Sequence, residues 1–86
     1  MEIEAPLSEE LIRRLRRIEG QVRGLQAMIA EGRDCRSIVT QVSAASKAID
    51  QIGFKLLAAG LTDCLTRPDD AEYTMAEVER MFLKLA

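Results

Sequence analysis

The chain contains no histidine and no tryptophan, and its 86 residues include only two cysteines, two prolines and three aromatic side chains. Without histidine, no site can be built on imidazole ligands, which excludes a large class of metal centres. Two cysteines are too few for the disulfide framework of a small secreted protein. No apolar run approaches the roughly 20 residues of a membrane span, and the acidic first residues are unlike a targeting peptide. These absences predict a cytoplasmic protein with reduced thiols and no contact with a membrane.

Length and charge bound the remaining possibilities. A length of 86 residues predicts one domain, residues 1–86. Because a chain this short buries little apolar surface by itself, we expect it to oligomerise. The net charge of −2 is unevenly distributed, because residues 11–36 carry seven arginines against three acidic side chains. Such a cluster can attract a polyanion even when the whole chain is acidic, since the local field decides the encounter. The plainer alternative is a solvated helix face.

Apolar side chains recur every three or four residues along the chain, which predicts three helices and an all-α fold. The first helix should run from about Ser8, as its N-cap, to Glu31, with Gly32 ending it. The second should run from Cys35 to Cys64 with Asp34 as its cap, and this length is typical of a helix that packs against a partner chain. The sequence Arg-Pro-Asp-Asp at 67–70 separates it from a short third helix.

The two cysteines lie 29 residues apart on the second predicted helix. At about 1.5 Å per residue they are roughly 43 Å apart, so one chain cannot join them while the helix is intact. At about 100° per residue they nevertheless face the same side of the helix. Two such helices packed antiparallel would place Cys35 of one chain beside Cys64 of the other. The spacing therefore predicts a two-thiol site that exists only in an oligomer.

The stretch from Arg13 to Met28, RRLRRIEGQVRGLQAM, resembles the opening helix of the CsoR/RcnR family of bacterial repressors. The likeness continues through Cys35 and residues 40–44 to Cys64 and covers about residues 8–66. It implies a three-helix protomer with a long central helix, antiparallel helical dimers, and a disc-shaped tetramer made of two dimers. It also implies a transcriptional repressor, not an enzyme, that binds double-stranded operator DNA at rest and releases it when the sensing site is modified.

The resemblance further distinguishes branches of the family by their ligands. Copper-sensing members have a histidine four residues before the second cysteine, and Gly60 occupies that position here. Nickel and cobalt sensors need several imidazoles. What remains resembles the persulfide-sensing, CstR-like branch, which keeps both cysteines and lacks the histidine. Cu(I) stays open as the alternative effector, because it is thiophilic and Cys35 and Cys64 would be its ligands. Otherwise no metal and no cofactor is expected.

The two thiols should differ in reactivity. Cys35 lies at a helix start beside Arg33 and Arg36, where the helix dipole and the cations favour the thiolate, although Asp34 partly opposes this. We expect Cys35 to attack an inorganic or low-molecular-weight persulfide first. Cys64 of a partner chain then resolves the product as a di-, tri- or tetrasulfide bridge. The alternative is that both cysteines are merely small buried apolar residues.

The candidate DNA contacts are basic or polar side chains of the first predicted helix, with one lysine from the second. They are Arg13, Arg14, Arg16, Arg17, Gln21, Arg23 and Lys47. Arg14 points further round the helix than the other four arginines. The sequence contains no helix-turn-helix, zinc finger or aromatic stacking platform, so we expect contacts largely to phosphate, with a steep dependence on salt.

Two other classes of protein fit parts of the pattern. A small thiol peroxidase or sulfurtransferase would also use a reactive Cys35 and a resolving Cys64, but the sequence offers no evident general base or substrate pocket. A helical interaction module would need neither thiol. Turnover with excess substrate would identify the enzyme, and unchanged function after Cys→Ser substitution would identify the module.

Overall fold

The computed structural model describes residues 3–86, in which the chain forms three α-helices and no β-strand. They are α1 (Ala5–Ala30), α2 (Cys35–Thr66) and α3 (Met75–Leu85). The predicted all-α protomer with a long central helix is confirmed, because α2 alone has 32 residues. Within the described residues, no helix is both long enough and apolar enough to cross a membrane.

The start of α1 differs from the sequence prediction. The helix begins at Ala5, with Glu4 as an N-cap that makes no side-chain capping bond, so Ser8 is not the cap. The backbone N–H of Ser8 already donates to the Glu4 carbonyl at 2.9 Å, as in a continuing helix. Pro6 is tolerated here because the first turn of a helix has no partner for its N–H groups. A proline that reads as a boundary therefore lies inside the helix.

The turn between α1 and α2 follows the prediction closely. Gly32 adopts φ +70, and the Arg33 N–H donates to the Met28 carbonyl at 3.0 Å, which is the closing bond of a Schellman motif. Asp34 then caps α2, since its carboxylate accepts from the Ser37 N–H at 3.1 Å and from the Ser37 hydroxyl at 2.7 Å. Glycine is needed at 32 because side chains disfavour that backbone conformation.

The chain forms two compact units, which we call the N-terminal unit (residues 4–49) and the C-terminal unit (residue 3 with residues 50–86). Leu11, Ile18 and Ala45 are buried in the first, and Cys64 and Val78 in the second. Among the described residues no polar or charged side chain is buried as a whole. The single domain expected from length is not tested by this division and stays a prediction.

The C-terminal unit joins the second half of α2 to α3. Thr74 caps α3 in a capping box: its hydroxyl accepts from the Glu77 N–H at 3.2 Å, and the Glu77 carboxylate accepts from the Thr74 N–H at 3.4 Å. The rings of Phe54 and Phe82 lie 6.1 Å apart between centroids at a tilted angle of 52°. The capping box fixes where α3 begins, and the ring contact joins α3 to the half of α2 that carries Cys64.

Candidate thiol site and nucleic-acid surface

Cys35 is the first residue of α2, and its side chain is exposed. The neighbouring Asp34 has both carboxylate oxygens engaged by Ser37. These hydrogen bonds, the one from the Ser37 hydroxyl first, hold the pKa of Asp34 below its usual value. Arg33 and Arg36 are exposed on either side of the thiol. Cys35 is therefore open to solvent, at a helix N-terminus and between two cations.

Cys64 lies in a different environment near the end of α2, where it is buried. The preceding residue, Asp63, is half-buried, and its carboxylate accepts a hydrogen bond from the Arg67 Nε at 2.9 Å and forms an ion pair with the same guanidinium. The anion next to Cys64 is thus balanced by a cation one turn further on. One turn before Cys64, Gly60 is buried and presents no side chain.

The two thiols lie on one uninterrupted helix, since α2 extends from Cys35 to Thr66. Both are free, and they cannot pair within one chain while α2 is intact. The described residues contain no group of three or more histidine, cysteine, aspartate or glutamate side chains that could hold a metal ion. A site that used both thiols would therefore have to form between chains, and its assembly stays a prediction.

Apolar side chains on α1 and the first half of α2 remain uncovered in the single chain. The most exposed in the N-terminal unit are Ile29 at 63%, Val39 at 58% and Ile49 at 52%. Val39 and Ile49 lie close in helical phase to Cys35, on the side that Cys64 also faces. Their exposure is what the predicted packing of α2 against a second copy would require.

The predicted DNA contacts all lie in the N-terminal unit, and most of them are exposed. Arg13, Arg16 and Arg17 are exposed, and the part of the chain that the structure describes offers them no ion pair. Arg23 is exposed and lies 4.0 Å from Glu19, which is a weak surface pair. The first three can therefore accept a phosphate without giving up a carboxylate.

The other predicted DNA contacts differ from one another in burial and in their partners. Arg14 is half-buried and lies 3.8 Å from Glu10, consistent with its different helical phase. Lys47 is exposed. The side-chain oxygen of Gln21 is buried without a hydrogen-bond partner among the described residues, so a DNA contact through this atom would require it to leave its present position. The roles of these three side chains stay predictions.

Two side-chain arrangements near the sites were missed by the sequence analysis, although the sequence contains a signal for each. The capping box of α3 is written as Thr-Met-Ala-Glu at 74–77, which matches the S/T-x-x-E pattern. The pair between Asp63 and Arg67 is written as an acid four residues before a base on one helix. The first positions α3, and the second sets the charge beside Cys64.

Comparison with known proteins agrees with this arrangement. The profile of a family described as metal-sensitive transcriptional repressor matches residues 8–84. The chain is 46% identical over 55 residues to the copper-sensing transcriptional repressor RicR of Mycobacterium tuberculosis (strain ATCC 25618 / H37Rv), across 64% of this chain and 57% of that protein. It is 34% identical over 79 residues to the copper-sensing transcriptional repressor CsoR of Bacillus subtilis (strain 168), across 88% of this chain and 78% of that protein. The alignment thus spans little more than half the length of the first relative.

Proposed function

Because the chain belongs to the family of metal-sensitive transcriptional repressors, we propose that it binds operator DNA and that Cys35, together with Cys64 of a second copy, controls the release of that DNA. The observation that carries this proposal is the placement of two free thiols on one face of the unbroken helix α2, one exposed and one buried. The working form is an antiparallel dimer, or a tetramer of two dimers, since one chain cannot join its own two thiols.

DNA binding rests on the exposed arginines of α1. Arg13, Arg16 and Arg17 project from one helix without an ion pair in the described part of the chain, so each can contact a phosphate. Repetition of this cluster in each copy would give the assembly a broad basic surface. Its contacts are mainly to the backbone of DNA, and they set affinity and its salt dependence more than sequence preference.

Cu(I) is the effector that the comparisons favour. The two relatives are both named copper-sensing, and Cu(I) prefers soft thiolate ligands, which Cys35 and Cys64 would supply. Cu(I) was the alternative in the sequence analysis because Gly60 stands where the resemblance implies a histidine. A site made of Cys35 and Cys64 of a second copy would hold Cu(I) with two thiolates and no imidazole, one ligand fewer than the resemblance implies.

A persulfide is the second candidate effector, favoured by the absence of histidine from the whole chain. In this case the Cys35 thiolate attacks the outer sulfur of a persulfide RSSH, forms a persulfide on Cys35 and releases the thiol RSH. The Cys64 thiol of a second copy then attacks the inner sulfur, forms an interchain disulfide and expels hydrogen sulfide. Two thiols are oxidised by two electrons, and the sulfane sulfur is reduced to sulfide.

The deciding experiment measures DNA-binding anisotropy on the segment upstream of the protein's own coding sequence. Reduced protein is titrated first alone, then with stoichiometric Cu(I) under anaerobic conditions, and then with excess glutathione persulfide. Release by Cu(I), reversed by a Cu(I) chelator, supports the copper proposal. Release by persulfide, reversed by dithiothreitol and accompanied by a cross-linked dimer in intact-mass analysis, supports the second candidate.

Substituted proteins make the experiment specific to the thiols. Cys35→Ser and Cys64→Ser should each bind DNA like the parent and fail to respond to the effector. If both variants still release DNA on addition of the effector, the thiols are not the sensing site. If reduced protein shows no preference for the upstream segment over unrelated DNA, the assigned operator is wrong.

A further inference from the structure

The C-terminal unit contains a cavity that the proposed function does not use. It lies between the second half of α2 and α3 and has a volume of about 380 Å³. Its wall is mainly aliphatic, from Ile3, Leu56, Leu57, Val78, Met81 and Leu85. Cavities that bind small molecules typically measure roughly 300–1,000 Å³ and are largely apolar with a few polar groups. This cavity lies at the small end of that range.

Two glycines of α2, Gly53 and Gly60, lie seven residues apart on one face and both line the cavity. At Gly53 the missing side chain is replaced by α3, because an added Cβ would lie 2.7 Å from the Leu85 Cδ1. At Gly60 an added Cβ would meet nothing within 4 Å, although the residue is buried and lines the cavity. Gly53 thus permits close packing, whereas Gly60 leaves a space unfilled. A glycine inside a helix makes the helix less stable than an alanine would, and at Gly60 no packing contact compensates for this loss.

Two polar side chains complete the wall and determine what the cavity would accept. Tyr73 and Lys84 both line it, and neither has a hydrogen bond or an ion pair within residues 3–86. The hydroxyl and the ammonium are both hydrogen-bond donors, and the ammonium is a cation. An aliphatic wall with a cation and two donors is complementary to an aliphatic chain that ends in an anion.

From this geometry we infer that the cavity beside Gly60 binds a free medium-chain aliphatic carboxylate, with its chain along the apolar wall and its carboxylate at Lys84 and Tyr73. At about 30 Å³ for each water-sized group, 380 Å³ has room for on the order of ten heavy atoms, which is the size of octanoate. Neither cysteine lines the cavity, although Gly60, which does line it, lies one turn before Cys64 on α2.

The test is calorimetric titration of octanoate into the full-length reduced protein, with 1-octanol and octylamine as the neutral and cationic comparisons. Octanoate should bind saturably with one molecule per chain, and at least about tenfold more tightly than either comparison compound. Lys84→Gln should weaken octanoate binding by at least about tenfold and abolish the preference over 1-octanol. Binding of octylamine as tight as that of octanoate would overturn the inference.

A pair of glycine substitutions locates the site. Gly60→Leu fills the cavity and should abolish binding, while Gly24→Leu, at an exposed helical glycine that also has nothing within 4 Å, should leave it unchanged. A Gly60→Leu protein with a parental circular dichroism spectrum and parental octanoate affinity would place the ligand elsewhere and overturn the inference. If Gly60→Leu does not fold, the loss or retention of charge discrimination in Lys84→Gln decides the same question. A double Cys35→Ser, Cys64→Ser protein should bind octanoate normally, which separates this result from that of the thiol proposal.

Discussion

The N-terminal and C-terminal units differ in charge, in the exposure of their thiol and in what they leave open. Residues 4–49 carry eight basic and six acidic side chains, whereas residues 50–86 carry four basic and seven acidic ones. The first unit exposes Cys35 and several arginines, whereas the second buries Cys64 and contains a half-open cavity. The helix α2 belongs to both units and carries one exposed thiol and one buried thiol on a single face.

An antiparallel pair of α2 helices would bring these opposites together. The exposed thiol and basic surroundings of one copy would face the buried thiol and acidic surroundings of the other, so charge complementarity would favour the pairing that the cysteine spacing predicts.

The largest expected effect is a loss of DNA affinity when arginines of the N-terminal unit are replaced. Arg17→Ala should weaken operator binding roughly tenfold and Arg16→Ala with Arg17→Ala roughly 100-fold, since a charge-assisted contact contributes about 1.5 kcal/mol or more. Each lost phosphate contact should also reduce the slope of log affinity against log salt by about 0.9. Arg80→Ala, an equal change of charge at an exposed position of α3, should leave affinity unchanged. Equal losses at Arg17 and Arg80 would refute the assignment of DNA binding to the N-terminal unit.

The next expected effect is a difference between the alkylation rates of the two thiols. In native reduced protein, iodoacetamide should alkylate the exposed Cys35 at least about tenfold faster than the buried Cys64, because Cys64 reacts only after local opening. Peptide mass spectrometry at timed intervals gives both rates in one sample. In denaturant the two rates should converge, which serves as the control. Comparable rates in native protein would mean that the two thiols do not differ in accessibility.

A further substitution tests whether a copper site forms beside Cys64. Gly60→His adds an imidazole one turn before Cys64, at a position where a Cβ meets nothing within 4 Å. If Cu(I) is the effector, a third ligand should raise Cu(I) affinity by at least about tenfold, or about 1.4 kcal/mol, in competition with a chelator. Gly24→His is the control and should leave it unchanged. An unchanged affinity in Gly60→His would show that the copper site does not form near this position.

Local signals in the sequence predicted the fold well but did not predict burial. Asp34 and Gly32 identified the turn before α2 because a cap and a positive-φ glycine are determined by neighbours within a few residues. The prediction that Ser8 caps α1 is wrong because the helix begins at Ala5 and accommodates Pro6 in its first turn. The cavity at Gly60 depends on where α3 packs, because Val78, Met81 and Leu85 line it, and the spacing of residues in α2 contains no information on that.

A smaller effect tests what fixes α3 in the C-terminal unit. Thr74→Ala removes the capping box and should lower the free energy of unfolding by about 1 kcal/mol, or the melting temperature by about 4–8 °C. Thr62→Ala is the matched control, because the Thr62 hydroxyl only donates to the Ala58 carbonyl within α2. Thermal denaturation followed by circular dichroism gives both values. An equal loss in both variants would mean that the cap does not stabilise α3 specifically.

The smallest effect concerns the corresponding cap in the N-terminal unit, at the helix start that presents Cys35. Hydrogen bonds from Ser37 hold the pKa of Asp34 below its usual value, so the ionised cap stabilises α2 at and above the usual aspartate pKa. The stabilisation is lost as pH falls through the lowered pKa. An NMR titration of the Ser37 amide should therefore show a midpoint below that of an unperturbed aspartate. Asp34→Asn keeps an acceptor oxygen but no ionisable group, so its titration curve should be flat. A parental midpoint at or above the usual aspartate value would show that Asp34 does not hold the start of α2 as an ionised cap.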